Sequence, residues 1–229
     1  MSLPRLPALA IPAALALLAA PGCLPSPRPA TIAPSILPPA PAGPSSALWL
    51  ATEDGWMELE DYVARVCTRE NGAAAFEALK AQAVAARTYV LRAMRDEAPI
   101  GTPDKPLPNS QSFQTYAAVA SPACAAATAE TRGLLLRYQG ALIVANYVAG
   151  ARLRDDGLFA DDPTKTEKWV TYNRGRWGTN VVPTPLSRVD RKDNRGCMSQ
   201  NGADWMARRG HTFVTILRFY YGEDAAIVW

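Results

Sequence analysis

The chain predicts an α+β fold: a single compact domain with a long central helix, hairpin strands and C-terminal helices, preceded by a signal peptide and a Pro-rich tether. Three observations point there. Residues 75–95 carry Phe76, Leu79, Ala83, Ala86, Val90 and Met94 at helical spacing, with neither Pro nor Gly between them. Two apolar, partly β-branched runs, 133–138 and 141–148, flank Gln139-Gly140, a hairpin signal. No repeating βαβ pattern joins these elements, which argues against a doubly wound sheet.

At the front, residues 1–22 hold Arg5 ahead of an Ala/Leu-rich apolar run from Leu6 to Ala20. This is the pattern of a secretory signal peptide, too short and too Ala-rich for a membrane span. The run ends in Ala20-Pro21-Gly22-Cys23, where a small residue directly before a cysteine resembles the cleavage box of bacterial lipoproteins. Cys23 is therefore the expected lipidation site, although Ala20 and Pro21 depart from the Leu and small residue usual at those places. Residues 23–46 are Pro-rich and contain no acidic residue, so they are expected to run as an extended tether ahead of a body at 47–229. An exported bacterial envelope protein, periplasmic or at the cell surface and held to the membrane by a lipid anchor only, is the expectation.

Within the body, Met57 to Arg69 begins with alternation and passes into helical spacing at Leu59, Tyr62, Val63 and Val66, with Glu58, Glu60 and Asp61 suited to a helix start. Asn71-Gly72 breaks that helix. In the next helix, Ala78, Ala81, Ala85 and Ala86 leave little side-chain bulk, so another backbone can approach closely and the helix is expected to be central. Residues 99–109 are loop-like and Pro-rich, and 112–118 suggest a short strand. Residues 150–168 are charged, with Asp155-Asp156-Gly157 and Asp161-Asp162-Pro163 as solvated turns of a surface excursion. Residues 198–209 and 212–221 suggest two short helices, with Gly210 placed as a C-terminal cap.

Composition excludes several classes of chemistry. The 229 residues include 24 Lys plus Arg against 21 Asp plus Glu, so the net charge of +3 gives no footprint for nucleic acid. One histidine, His211, excludes metal sites built on two imidazoles, and neither a Walker loop nor a G-x-G-x-x-G is present. In an oxidising compartment Cys67, Cys124 and Cys197 are disulfide candidates, one pair plus one buried thiol being the simplest account. A Cys3His zinc site with His211 is the sharper alternative, but no two of those ligands are closely spaced. No metal and no cofactor are expected. What is left is acid/base work by carboxylates. Glu70 stands out because it ends an amphipathic helix directly before the Asn71-Gly72 break, where a side chain can enter a cleft, although helix-end carboxylates are commonly just solvated.

Longer motifs add to this. Glu60-Asp61-Tyr62-Val63, Glu70 and the run Glu77-Ala78-Leu79-Lys80-Ala81-Gln82-Ala83-Val84-Ala85-Ala86-Arg87-Thr88-Tyr89 closely resemble the signature of the stage II sporulation protein D family, also called the amidase-enhancer family. Met198-Ser199-Gln200, Gly202-Ala203, Ala207, Gly210, Ile216-Leu217 and Tyr220-Tyr221-Gly222 resemble its C-terminal motif, in order. Gln114, Tyr116, Thr131-Arg132-Gly133 and Tyr147 fall at the family's intervening positions. The resemblance spans about Met57 to Val228.

The resemblance implies a lytic transglycosylase that cleaves peptidoglycan glycan strands stripped of stem peptides, with Glu70 as the catalytic residue. One carboxyl suffices: as an acid it protonates the glycosidic oxygen, and as a base it takes the proton of the sugar's own C6 hydroxyl, closing a 1,6-anhydro ring. Glu70 must then hold a proton near neutral pH, which asks for a desolvated pocket. Arg87, Lys80, Gln82, Gln114, Tyr116, Tyr147, Ser199 and Gln200 are implied as substrate-binding residues. Each also has a plainer reading: ion pairs to Glu60 or Glu77 for Arg87 and Lys80, core packing for the tyrosines, a helix cap for Ser199. A Cys67–Cys197 disulfide would clamp the cleft if both motifs line it. Some family members bind zinc through Cys and His, but this chain lacks those histidines. Where the family is Ser/Gly-rich after the Tyr147 position, this chain has Val148-Ala149-Gly150-Ala151-Arg152. The alternative reading is a non-catalytic glycan-binding module that recruits or stimulates a cell-wall amidase.

Overall fold

The computed structural model describes residues 47–96 and 100–229. The signal peptide expected over 1–22, the tether over 23–46 and Cys23 lie outside the described residues. The architecture is mixed α and β, as expected: five helices and several small sheets among the described residues.

An antiparallel hairpin of β1 (Trp49–Thr52) and β2 (Gly55–Glu58) opens the domain, with Leu50 opposite Met57 and both buried. Glu58 ends β2 and caps α1 (Leu59–Asn71), its side chain accepting the Asp61 N–H, while Glu60 and Asp61 occupy the turn where the helix dipole favours negative charge. At Gly72 a Cβ would lie 2.5 Å from the Thr68 carbonyl oxygen, so only glycine allows the chain to leave the helix there.

The central element is α2 (Phe76–Asp96), about 30 Å long at roughly 1.5 Å per residue. Two faces of it are buried at once. Leu79, Ala83, Ala86 and Val90 pack into one core with Tyr62, Val63 and Val66 of α1. Ala78, Ala81, Val84 and Ala85 pack into a second core with Met198, Ile216, Leu217 and Tyr220. Alanine on both faces lets neighbouring helices approach, which is why the stretch tolerates so little bulk.

Departures from the sequence reading have local causes. Residues 112–118 form no strand: the Ala117 N–H donates to the Arg65 carbonyl at 3.1 Å and the Thr115 N–H to Glu70, so the segment pairs with the end of α1 instead of with another strand. A helix unforeseen by periodicity, α3 (Pro122–Glu130), follows; Ser121 caps it and Pro122 opens it, but its alanines give no amphipathic pattern. The hairpin appears as β3 (Leu135–Tyr138) and β4 (Ala141–Leu142), turning through Gln139 and Gly140 with φ of 49° and 80°. After β4 the chain departs, and β5 (Asn146–Val148) pairs in parallel with β8 (Cys197–Ser199), Tyr147 beside Met198. The excursion carries its own small hairpin, β6 (Arg152–Leu153) and β7 (Phe159–Asp161). Beyond β8 come α4 (Gln200–Ala207) and α5 (Phe213–Tyr221), then β9 (Ala226–Val228), which pairs with β3. No helix among the described residues is long and apolar enough to cross a membrane.

The Cys67–Cys197 pairing is corrected. Cys67, Cys124 and Cys197 are free, buried thiols. Cys67 sits in the first core with Cys124, whereas Cys197 lies in β8 beside Tyr220 and Tyr221, so the two proposed partners occupy different layers. Burial, then the neighbouring Cys124, pushes the Cys67 thiol far up, and burial does the same to Cys197. The expected result is that none of the three reacts with a thiol reagent in the native protein while all three do in denaturant, as peptide mapping of the labelled protein will read out.

Candidate active site

Glu70 projects from the last turn of α1 into a groove of about 690 Å³. Residues 111–113 and Thr115 form one wall, β5 and Gln200 form another, and Thr164 and Thr166 of the excursion, with Trp169 directly after it, form a third. Glu70 is half-buried. Its Oε1 accepts the Thr115 N–H at 2.8 Å and the Thr115 hydroxyl at 2.5 Å, while Oε2 has no hydrogen-bond partner among the described residues. Glu70 is also the only carboxylate lining the groove among those residues.

Behind the wall runs a buried relay. The Tyr62 hydroxyl donates to Gln114 Oε1 at 3.0 Å, and Gln114 Nε2 donates to the Tyr147 hydroxyl at 2.8 Å. Because the Tyr147 oxygen is accepting, its own proton is left to be donated toward the groove. Burial, and next the charge of Glu70, hold the Tyr147 hydroxyl well above the ordinary tyrosine value, so it stays protonated.

Three sequence-implied residues line the groove: Glu70, Tyr147 and Gln200. The others serve it from behind or elsewhere. Arg87 is fully buried, with its guanidinium on Glu60 at 2.6 and 3.0 Å, so it is corrected from a sugar contact to an internal ion pair. Lys80 is likewise corrected: Glu77 and Glu130 hold its ammonium at 2.7 and 2.8 Å. Although desolvation alone would lower it, those two partners raise the Lys80 value. Gln82 is buried and receives the Gln200 Nε2 at 3.3 Å, so it orients Gln200 rather than sugar. Gln114 orients Tyr147. Tyr116 packs on Tyr62 with ring centroids 5.6 Å apart, inside the core. Ser199 caps α4, accepting the Gly202 N–H at 2.9 Å.

Sequence reasoning missed Thr115, Arg69 and Trp169. The first was legible: on an extended segment alternate residues point oppositely, so with Gln114 and Tyr116 turned inward Thr115 must face Glu70. Arg69, adjacent to Glu70, is exposed, lines the groove and has no side-chain partner among the described residues. Trp169 directly follows the excursion and carried no local signal.

The stretch after Tyr147 keeps its wall by anchoring. The Ala149 carbonyl accepts the Ser199 hydroxyl at 3.2 Å and the Asn201 N–H at 3.0 Å, and the Gly150 N–H donates to Thr166 Oγ1. Gly150 has φ of 69°, and a Cβ there would lie 2.1 Å from Ser199 Oγ. Gly150→Ala is expected to cost about 1–3 kcal/mol by displacing the Val148-Ala149 wall, as chemical denaturation will measure.

The model of the SpoIID family, described as stage II sporulation protein, matches residues 52–138, from the end of β1 through β3 and including Glu70. That region is similar to the SpoIID family, which is associated with cell-wall processing. No curated protein matches the chain.

Proposed function

We propose that the chain is a peptidoglycan lytic transglycosylase acting on denuded glycan strands, exported and anchored to the membrane through a lipid on Cys23. The observation that carries this reading is the lone carboxylate: among the described residues Glu70 lies in the groove without an acidic partner. A hydrolase acting on a glycoside ordinarily needs two carboxylates, one to protonate the leaving oxygen and one to activate water or attack the sugar. One is enough when the nucleophile is the sugar's own C6 hydroxyl.

In this mechanism Thr115 fixes Oε1, and the free Oε2 delivers its proton to the glycosidic oxygen as the C1–O bond breaks. The same oxygen then takes the C6 hydroxyl proton while the C6 oxygen bonds to C1, giving the 1,6-anhydro-muramyl end and restoring the acid. Tyr147 donates beside Glu70, Gln200 contacts the sugar from the opposite wall, and Arg69 faces the lactyl carboxylate that stem-peptide removal exposes.

The test is product analysis. Purified protein incubated with denuded glycan is expected to release 1,6-anhydro ends detectable by mass spectrometry. Binding to the strand with no such ends released would leave the second reading, a module that holds glycan and recruits an amidase.

A further inference from the structure

A second groove, of about 540 Å³, lies outside that site, between α4, α5 and the β6–β7 hairpin. Its walls are aromatic. Tyr172 and Phe219 stand edge to face with centroids 5.8 Å apart, and Trp205 and Phe159 also line it. The rings are held in place, since Trp205 Nε1 donates to the Arg154 carbonyl at 2.8 Å and the Tyr172 hydroxyl donates to Glu167. Phe159 is nevertheless 58% exposed and Tyr172 43% exposed, a standing cost in water.

Two arginines share this groove. Among the described residues neither the Arg174 nor the Arg218 guanidinium has an ion-pair or hydrogen-bond partner, whereas their neighbours Arg154, Arg208 and Arg209 are each engaged. Glu223, the only acidic lining residue among the described ones, has Oε1 accepting the Gly175 N–H. Ring faces beside unspent guanidinium groups suit an occupant with apolar C–H faces and anionic oxygens at intervals. A densely charged polyphosphate fits poorly, because in the adjoining hairpin Asp155, Asp156 and Asp161 outnumber Arg152 and Arg154.

We propose that this groove binds a carboxylate-bearing saccharide chain, gripping the glycan strand away from the point of cleavage. The identity of the strand rests on the function proposed above; the groove's recognition chemistry does not. A pyranose laid against Tyr172 and Phe159 would place a lactyl carboxylate within reach of Arg174 or Arg218, and strands still carrying stem peptides would lack that charge.

The full chain and its Arg174→Gln/Arg218→Gln variant are titrated with denuded glycan, with the same glycan after amidation of its carboxylates, and with inorganic polyphosphate. The double variant is expected to lose about tenfold in affinity for the carboxylated strand and little for the amidated one. Phe159→Ala, at an exposed ring, is expected to weaken both. Unchanged affinity of the arginine variant, an equal loss for the amidated strand, or tighter binding of polyphosphate overturns the proposal. Both arginines are exposed, so an unaltered melting temperature will certify the fold; if it drops, the Phe159→Ala titration decides. Loss of binding in the arginine variant while wild type releases no anhydro ends sinks the transglycosylase and keeps the groove, and the converse sinks the groove alone.

Discussion

Glu70→Gln is expected to abolish release of 1,6-anhydro ends from denuded glycan, a drop of about 10²–10⁴-fold or to the detection limit, with the fold and glycan binding retained. The amide can still accept the Thr115 N–H and hydroxyl hydrogen bonds through its oxygen, so the wall at 111–115 should stay in place. What it cannot do is carry a transferable proton or become a base. Thr115→Val offers the matched control. It removes the hydroxyl donor but keeps the backbone one, so Glu70 should remain in the groove with a less fixed carboxyl, and turnover should fall far less than with the amide. Measuring anhydro ends and strand affinity side by side separates the roles: loss of product at constant affinity belongs to the acid, whereas loss of both would mean that the side chain only holds the wall. Undiminished turnover in Glu70→Gln would overturn the mechanism.

Much of this site was legible because helical periodicity and glycine breaks are local signals. The end of α1, Glu70 and the two-sided α2 follow from spacing and from Asn71-Gly72. What the sequence concealed depends on long-range pairing. The 112–118 segment has strand-like composition, yet its backbone groups are taken by α1. β5 finds its partner in β8, some fifty residues on, and nothing near Tyr147 encodes that register. The same limit explains the misplaced polar residues. Gln82, Gln114 and Arg87 are polar side chains on elements that bound the groove, but a sequence pattern cannot say whether such a group faces a ligand or satisfies a buried partner. Here burial decides: each is at most 1% exposed and is spent inside the protein.

Arg87 shows how large that difference is. Its guanidinium pairs with Glu60 through Nε and Nη2 and also reaches the Leu134 and Thr128 carbonyls, while Glu60 Oε1 accepts the Gly133 N–H. One charged pair thus ties α1, α2, α3 and the turn into β3. Arg87→Met should cost about 3–5 kcal/mol in urea denaturation, because Glu60, a residue only 8% exposed, is then left with an uncompensated carboxylate. Adding Glu60→Leu should recover part of that loss by removing the stranded charge, leaving the Gly133 N–H and the two carbonyls to account for the remainder. Under conditions where the Arg87→Met protein is still folded, its affinity for denuded glycan should match wild type, since the guanidinium lies outside the groove. A sugar-binding arginine would show the reverse pattern, weak binding with stability intact and no rescue by the second substitution.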